Sequence, residues 1–236
     1  MLSVKTALVA GATGLVGQAL VRELLSRNTY SRIILPSRRE TPFRNEPSVE
    51  EVILSYEDLE EETLSADDIF ICLGTTIKKA GSKQAFEKVD YHFPLAIAMQ
   101  ARRNGASQLA VISAIGADKD SAFFYSRVKG NLEEALVMIG YPSLHILRPS
   151  LLTGPRSEFR FGEKAAEWIT RPMGFAMIGP LEKYRPVHAE DVAAAMHAVC
   201  QEDSSGVHIY QSDQINHLAQ VVKEKTALLN QKQKGE

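Results

Sequence analysis

Apolar residues in this chain fall into short unbroken runs separated by longer stretches of mixed character. Ala7-Leu8-Val9-Ala10, Ile33-Ile34-Leu35, Ile69-Phe70-Ile71-Cys72-Leu73, Gln108 to Ser113 and Leu144 to Leu147 are continuous rather than alternating. Continuity over that length predicts strands buried on both faces. Between them the spacing turns helical: Leu15 to about Arg27, Ala85 to Asn104 with a break near Pro94 and a stop at Asn104-Gly105, and Phe123 to Ile139 with a stop at Gly140. Glu50 to Leu54 adds a short strand. Residues 41–47 read as loop, 56–63 as the solvated face of an acidic helix, and the stretch holding Lys78, Lys79 and Lys83 as loop. Strand and helix alternate, which predicts an α/β fold: a doubly wound parallel sheet with helices on both faces.

After Pro149 the period is lost. Residues 153–184 carry scattered Gly, Pro, Met and aromatic side chains, including Trp168. They read as a lid or small C-terminal substrate lobe, with a packed connection as the alternative. A short strand follows at Tyr184 to His188. Then come a helix capped by Glu190 or Asp191 and running to about Cys200, a strand at Val207 to Tyr210, and a helix capped by Ser212 or Asp213 and running to about Asn230. The tail 231–236 is polar and expected to fray. Residues 1–236 thus read as one domain with 153–184 as its lobe.

Composition changes this picture little. A chain of 236 residues can bury one sizeable core. A net charge of −2 gives no basis for a nucleic-acid surface. Cys72 and Cys200 make neither a disulfide framework nor a metal cluster, and the histidines show no metal-ligand spacing. No apolar run reaches the ~18 residues of a membrane span, and the N-terminus lacks the basic and apolar regions of a signal peptide. The expectation is a soluble cytoplasmic protein.

The first strand opens directly into Gly11-Ala12-Thr13-Gly14-Leu15-Val16-Gly17 and a helix. Gly11 permits a tight turn, Gly14 lets backbone amides approach a pyrophosphate, and Gly17 allows close packing of helix on strand. The helix N-terminus offers unpaired N–H groups to an anion. The spacing is G-x-x-G-x-x-G, and a plain structural turn is the alternative. The second strand ends at Ser37-Arg38-Arg39, where a dinucleotide fold meets the adenosine ribose. Two guanidinium groups suit a 2′-phosphate better than ribose hydroxyls; a solvated basic turn is the alternative. Leu73, Gly74 and Thr75 close the strand that would pass near the cofactor's middle. Pro149 closes the fifth.

Tyr125 and Lys129 form Y-x-x-x-K on a predicted helix, and the i,i+4 spacing puts both on one face. A free tyrosine, with pKa ~10, exchanges protons poorly at neutral pH; a nearby ammonium stabilises the phenolate. Ser113 ends the preceding strand, where it would hold a substrate oxygen. Asp90 lines the helix beneath and reads as a structural carboxylate.

VAGATGLVG, Ser37-Arg38-Arg39, Cys72-Leu73-Gly74-Thr75-Thr76, Ser113 and Tyr125-x-x-x-Lys129 together resemble the short-chain dehydrogenase/reductase superfamily, in its extended and atypical members. CLGTT, KAGS, VDYHFPLAIA and SAIGADKDSAFFYSRVKG are similar to the Tat-interacting-protein oxidoreductase group and to NmrA-type NAD(P)-binding proteins. The resemblance covers most of residues 1–152 and, more loosely, 185–195. It implies a Rossmann fold, NADP(H) in preference to NAD(H), and a Ser113, Tyr125, Lys129 triad in which Lys129 also holds the nicotinamide ribose. No residue is assigned as the asparagine of the family's proton relay, and Asp90 lies in its neighbourhood. The reaction expected is NADP(H)-dependent oxidation or reduction of a small carbonyl or alcohol substrate. The alternatives are an NADPH-binding sensor or scaffold with a protein partner and no turnover, and a sugar-nucleotide epimerase or dehydratase. The sequence names neither substrate nor oligomeric state.

Overall fold

The computed structural model describes residues 5–55, 64–154 and 179–233. Along the chain run β1 (Thr6–Ala10), α1 (Leu15–Arg27), β2 (Arg32–Ser37), β3 (Val49–Ile53) and β4 (Asp68–Ile71). Next come α2 (Ile77–Ala80), α3 (Lys83–Glu87), a π-helical turn (Lys88–His92), α4 (Phe93–Arg103), β5 (Gln108–Ile112), α5 (Phe124–Ile139) and β6 (Ser143–Arg148). The remainder is β7 (Leu152–Thr153), a 3₁₀ helix (Gly179–Tyr184), β8 (Val187–His188), α6 (Ala189–Val199), β9 (Gly206–Gln211) and α7 (Ser212–Gln233).

Among the described residues seven strands form one sheet in the order β3-β2-β1-β4-β5-β6-β9. Every neighbouring pair is parallel. The expected Rossmann-type doubly wound sheet is therefore observed. The unbroken apolar runs have a direct cause: successive side chains of each strand enter two different cores. Ala7, Val9, Ile33, Leu35, Phe70 and Ala110 pack with α1 and α6 on one face. Leu8, Ala10, Ile34, Ile69, Ile71 and Val111 pack with α4 and α5 on the other. Strand order reverses between β1 and β4, and the C-terminal ends of these two strands are the switch point at which doubly wound folds hold ligands.

Some expectations are corrected. The stretch holding Lys78, Lys79 and Lys83, expected as loop, forms α2 and the start of α3, joined through Gly81 and Ser82. Thr76 accepts a bond from the Lys79 amide (3.1 Å) and Ser82 one from the Ala85 amide (3.0 Å). Those N-caps satisfy amides that a loop would leave to water. The helix expected over 85–104 is observed as the end of α3, a π-helical turn and α4, and the expected break comes as that π turn ahead of Pro94, which lacks the N–H for an ordinary helical bond to Asp90. His188 occupies the N-cap position of α6 without a side-chain capping bond, and Glu190 and Asp191 lie in its first turn. There they complement the helix dipole. The strand expected at 184–188 shrinks to β8, following the 3₁₀ helix. Ser212 is the first residue of α7 instead of a residue before it, and its hydroxyl accepts the Ser150 amide (2.9 Å). Residues 56–63, residues 155–178 of the expected lobe and tail residues 234–236 lie outside the described residues.

His145 on β6 is fully buried between Ser143 (2.9 Å) and Tyr210 (3.1 Å), with its ring stacked 5.3 Å from that of His208. Burial first, and the neighbouring His208 charge second, push its pKa down from 6.5 to about 4. An unfolded histidine takes its proton near 6.5. The unfolded chain therefore binds the extra proton between 6.5 and 4, and stability falls as pH drops through that window. Urea unfolding should show roughly 2 kcal/mol less stability at pH 5 than at pH 7 from this group. His145→Gln should remove most of that difference. An unchanged pH dependence in the variant would assign the loss to another group.

Candidate active site

The turn at the switch point is built from glycines that backbone contacts require. Gly11 holds a φ of +91°, and a Cβ there would lie 2.8 Å from the Cys72 carbonyl carbon. Only glycine lets β1 and the end of β4 close together at this point. Gly14 donates to the Gly11 carbonyl (2.9 Å) and is the N-cap of α1, with no side chain capping the helix and no acid in its first turn. The α1 N-terminus therefore keeps its amides and positive dipole end for an anion. Gly14 is exposed and a Cβ there would stand 3.2 Å from the Gly11 carbonyl oxygen. Gly17 is buried, and its Cβ would overlap that oxygen outright and lie 2.8 Å from the Gly11 carbonyl carbon. Thr13 and Leu15 are half-buried around the turn and Val16 enters the core. This set fits a pyrophosphate cradle, with Gly14 at its mouth and Gly11 and Gly17 closing its frame.

Arg38 and Arg39 follow β2 directly and are exposed. Ser37 is buried, and its hydroxyl donates to the Arg39 carbonyl (2.5 Å). That bond shapes the basic turn. Leu73 is half-buried and Gly74 exposed beyond β4. Pro149 is buried beyond β6, where its carbonyl accepts the Ile115 amide (3.0 Å).

On α5, Tyr125, Lys129 and Glu133 form one stripe at i, i+4, i+8. Tyr125 is 41% exposed, with its ring 5.7 Å from the buried Phe86 ring. Lys129 is 3% exposed, and its Nζ lies 2.8 Å from Asp90 Oδ1. Burial opposes the ammonium, but the charges of Asp90, Tyr125 and Glu133 outweigh it and hold the Lys129 pKa above its ordinary value. Asp90 sits inside the π turn and its other oxygen accepts the Thr75 amide (2.8 Å).

Ser113 is buried at the end of β5, and its hydroxyl donates to Glu133 Oε1. Glu133 is also gripped by the Arg148 guanidinium. The Ser113 proton is thus directed to a carboxylate, and the hydroxyl must turn to serve a substrate oxygen. Glu133 escaped the sequence reading, although its position one turn beyond Lys129 on the same stripe was a usable signal.

A family model described as NAD(P)H-binding matches residues 11–157. The chain is 34% identical to protein HTATIP2 of Rattus norvegicus, over 71% of this chain and 69% of that one. It is 32% identical to the mitochondrial protein FMP52 of Candida albicans, over 84% and 89% respectively. Among solved structures, the Bordetella bronchiseptica enzyme WbmF in complex with NAD⁺ superposes with a TM-score of 0.65 at 19% identity, covering 96% of this chain and 79% of that one. The human epimerase family protein SDR39U1 with NADPH gives 0.61 at 17% identity, covering 87% and 74%. The cytoplasmic expectation is corrected by these relatives, since the FMP52 proteins are named mitochondrial. Net charge and hydropathy do not distinguish one aqueous compartment from another.

Proposed function

The chain belongs to the NAD(P)H-binding family, within the atypical short-chain dehydrogenase/reductase superfamily, and from that premise we propose that it is an NADP(H)-dependent oxidoreductase acting on a small carbonyl or alcohol. The observation that carries this reading is a buried, ion-paired Lys129 one helical turn from a solvent-accessible Tyr125. When bound, the cofactor supplies or accepts a hydride. Tyr125 gives a proton to the substrate oxygen in reduction and takes it back in oxidation. Lys129 stabilises the phenolate by charge and holds the nicotinamide ribose. Ser113 positions the substrate oxygen once its hydroxyl has turned from Glu133. Gly14 and the α1 amides hold the pyrophosphate, while Leu73, Gly74, Thr75 and Pro149 line the cofactor's path.

A panel of carbonyls tested for stoichiometric NADPH consumption decides the matter. Turnover supports the oxidoreductase. Tight binding without turnover supports a sensor or scaffold, a second reading favoured by the engagement of the Ser113 proton with Glu133. Conversion of a nucleotide sugar without net cofactor change would support an epimerase.

Preference for NADP(H) is assigned to Arg38 and Arg39. Each charge-assisted contact to a 2′-phosphate contributes ~1.5–3 kcal/mol. Changing both arginines to Ala should weaken NADPH roughly 10²-fold or more while leaving NADH nearly unchanged, as measured by calorimetry. Equal affinities for the two cofactors in the parent protein would remove this assignment.

A further inference from the structure

Asp90 is 1% exposed, and its two carboxylate oxygens serve two different elements. Oδ1 faces the Lys129 ammonium on α5 and Oδ2 accepts the Thr75 amide in the loop leaving β4. Gly74 beside it comes so close that a Cβ there would stand 3.6 Å from Oδ1. A negative charge is thereby fixed away from water, between the switch-point loop and the ammonium. Glu133, the other carboxylate acting on Lys129, is already paired with Arg148 and is not free to play this part.

The nicotinamide ring carries a positive charge when oxidised and none when reduced. A buried lysine without a counter-charge would repel the oxidised ring and leave the reduced one alone. We propose that Asp90 is a positioning and charge-balancing residue that sets the relative affinity of the site for NADP⁺ and NADPH. The inference rests on the reading of Lys129 as a cofactor-facing group. It assigns to Asp90 a thermodynamic role, because the ratio of the two dissociation constants fixes the reduction potential of the bound cofactor.

The experiment is calorimetric titration of the full chain with NADP⁺ and with NADPH, for the parent, Asp90→Asn, Lys129→Gln and the double variant. Asp90→Asn leaves an uncompensated ammonium. It should raise the ratio of the NADP⁺ to the NADPH dissociation constant about tenfold, the scale of one unit charge ~10 Å away at an effective dielectric constant of ~20. Lys129→Gln leaves an uncompensated carboxylate and should move the ratio in the opposite direction. The double variant should return near the parent ratio. Asp90→Ser leaves room for a water beside the ammonium, should shift the ratio in the same sense as Asp90→Asn, and replaces it where Asp90→Asn does not fold. Asp90→Glu keeps the charge and should keep the ratio even where both affinities change. A merely structural role for Asp90 would weaken both cofactors together. An unmoved ratio in the uncharged Asp90 variants, or shifts of one sign for Asp90 and Lys129, would overturn the inference while leaving the oxidoreductase reading intact. A parent protein that binds neither cofactor would overturn both.

Discussion

Tyr125→Phe should lower the turnover of any carbonyl or alcohol substrate by about 10²–10⁴-fold, the usual contribution of a positioned proton carrier. The substitution keeps the ring, so its packing against Phe86 survives and the fold should be unaffected. Cofactor affinity should change little, since the glycine turn and the arginines carry most of that binding in the proposed arrangement. The measurement is kcat for the parent and the variant, beside NADPH affinity for both. Full activity in the variant would remove Tyr125 from the chemistry. Activity lost together with cofactor binding would instead make it a binding residue.

The second large effect separates two glycines of the same turn. Gly17→Ala should destabilise the protein by roughly 3 kcal/mol, because the added carbon overlaps the Gly11 backbone and the helix or the turn must shift to admit it. Gly14→Val should keep the fold. Gly14 is exposed with extended backbone angles (φ −81°, ψ 170°), which a β-branched residue adopts readily. What it should lose is the thermal stabilisation brought by NADPH, since the side chain stands where the pyrophosphate must approach. Thermal melts of both variants with and without NADPH test the pair. A Gly14→Val protein with the full cofactor-induced shift would move the pyrophosphate elsewhere. A Gly17→Ala protein as stable as the parent would show that α1 can lift away from the turn.

The sheet was legible because a strand buried on both faces has no polar side to hide its pattern, as Leu8 and Val9 illustrate by entering opposite cores. The Tyr125 and Lys129 pair was legible because helical spacing alone brings them to one face. Asp90 was only half legible. Its acidity and its place before Pro94 were visible, but a π turn leaves no period of its own, so nothing in the spacing joins Asp90 to both Thr75 and Lys129. The Ser113 partner was missed for a related reason: Glu133 looks like one more charged residue on a helix until the Arg148 strand end is brought beside it. Thr76 and Ser82 were readable as caps, but the lysines around them suggested solvated loop. The compartment was not physically encoded in any of these signals.

The π turn at Lys88–His92 also acts as a phase adjuster. Each residue advances an α-helix by about 100°, so one extra residue in a single turn rotates everything before it by that angle relative to everything after it. α4 can therefore keep Ile97, Ala98 and Ala101 in the core while Phe86, on the other side of the turn, stays buried under Tyr125. A one-residue deletion here would be more damaging than most substitutions. It would restore regular α-helical winding and carry one of those two apolar faces, with Asp90, off its partners.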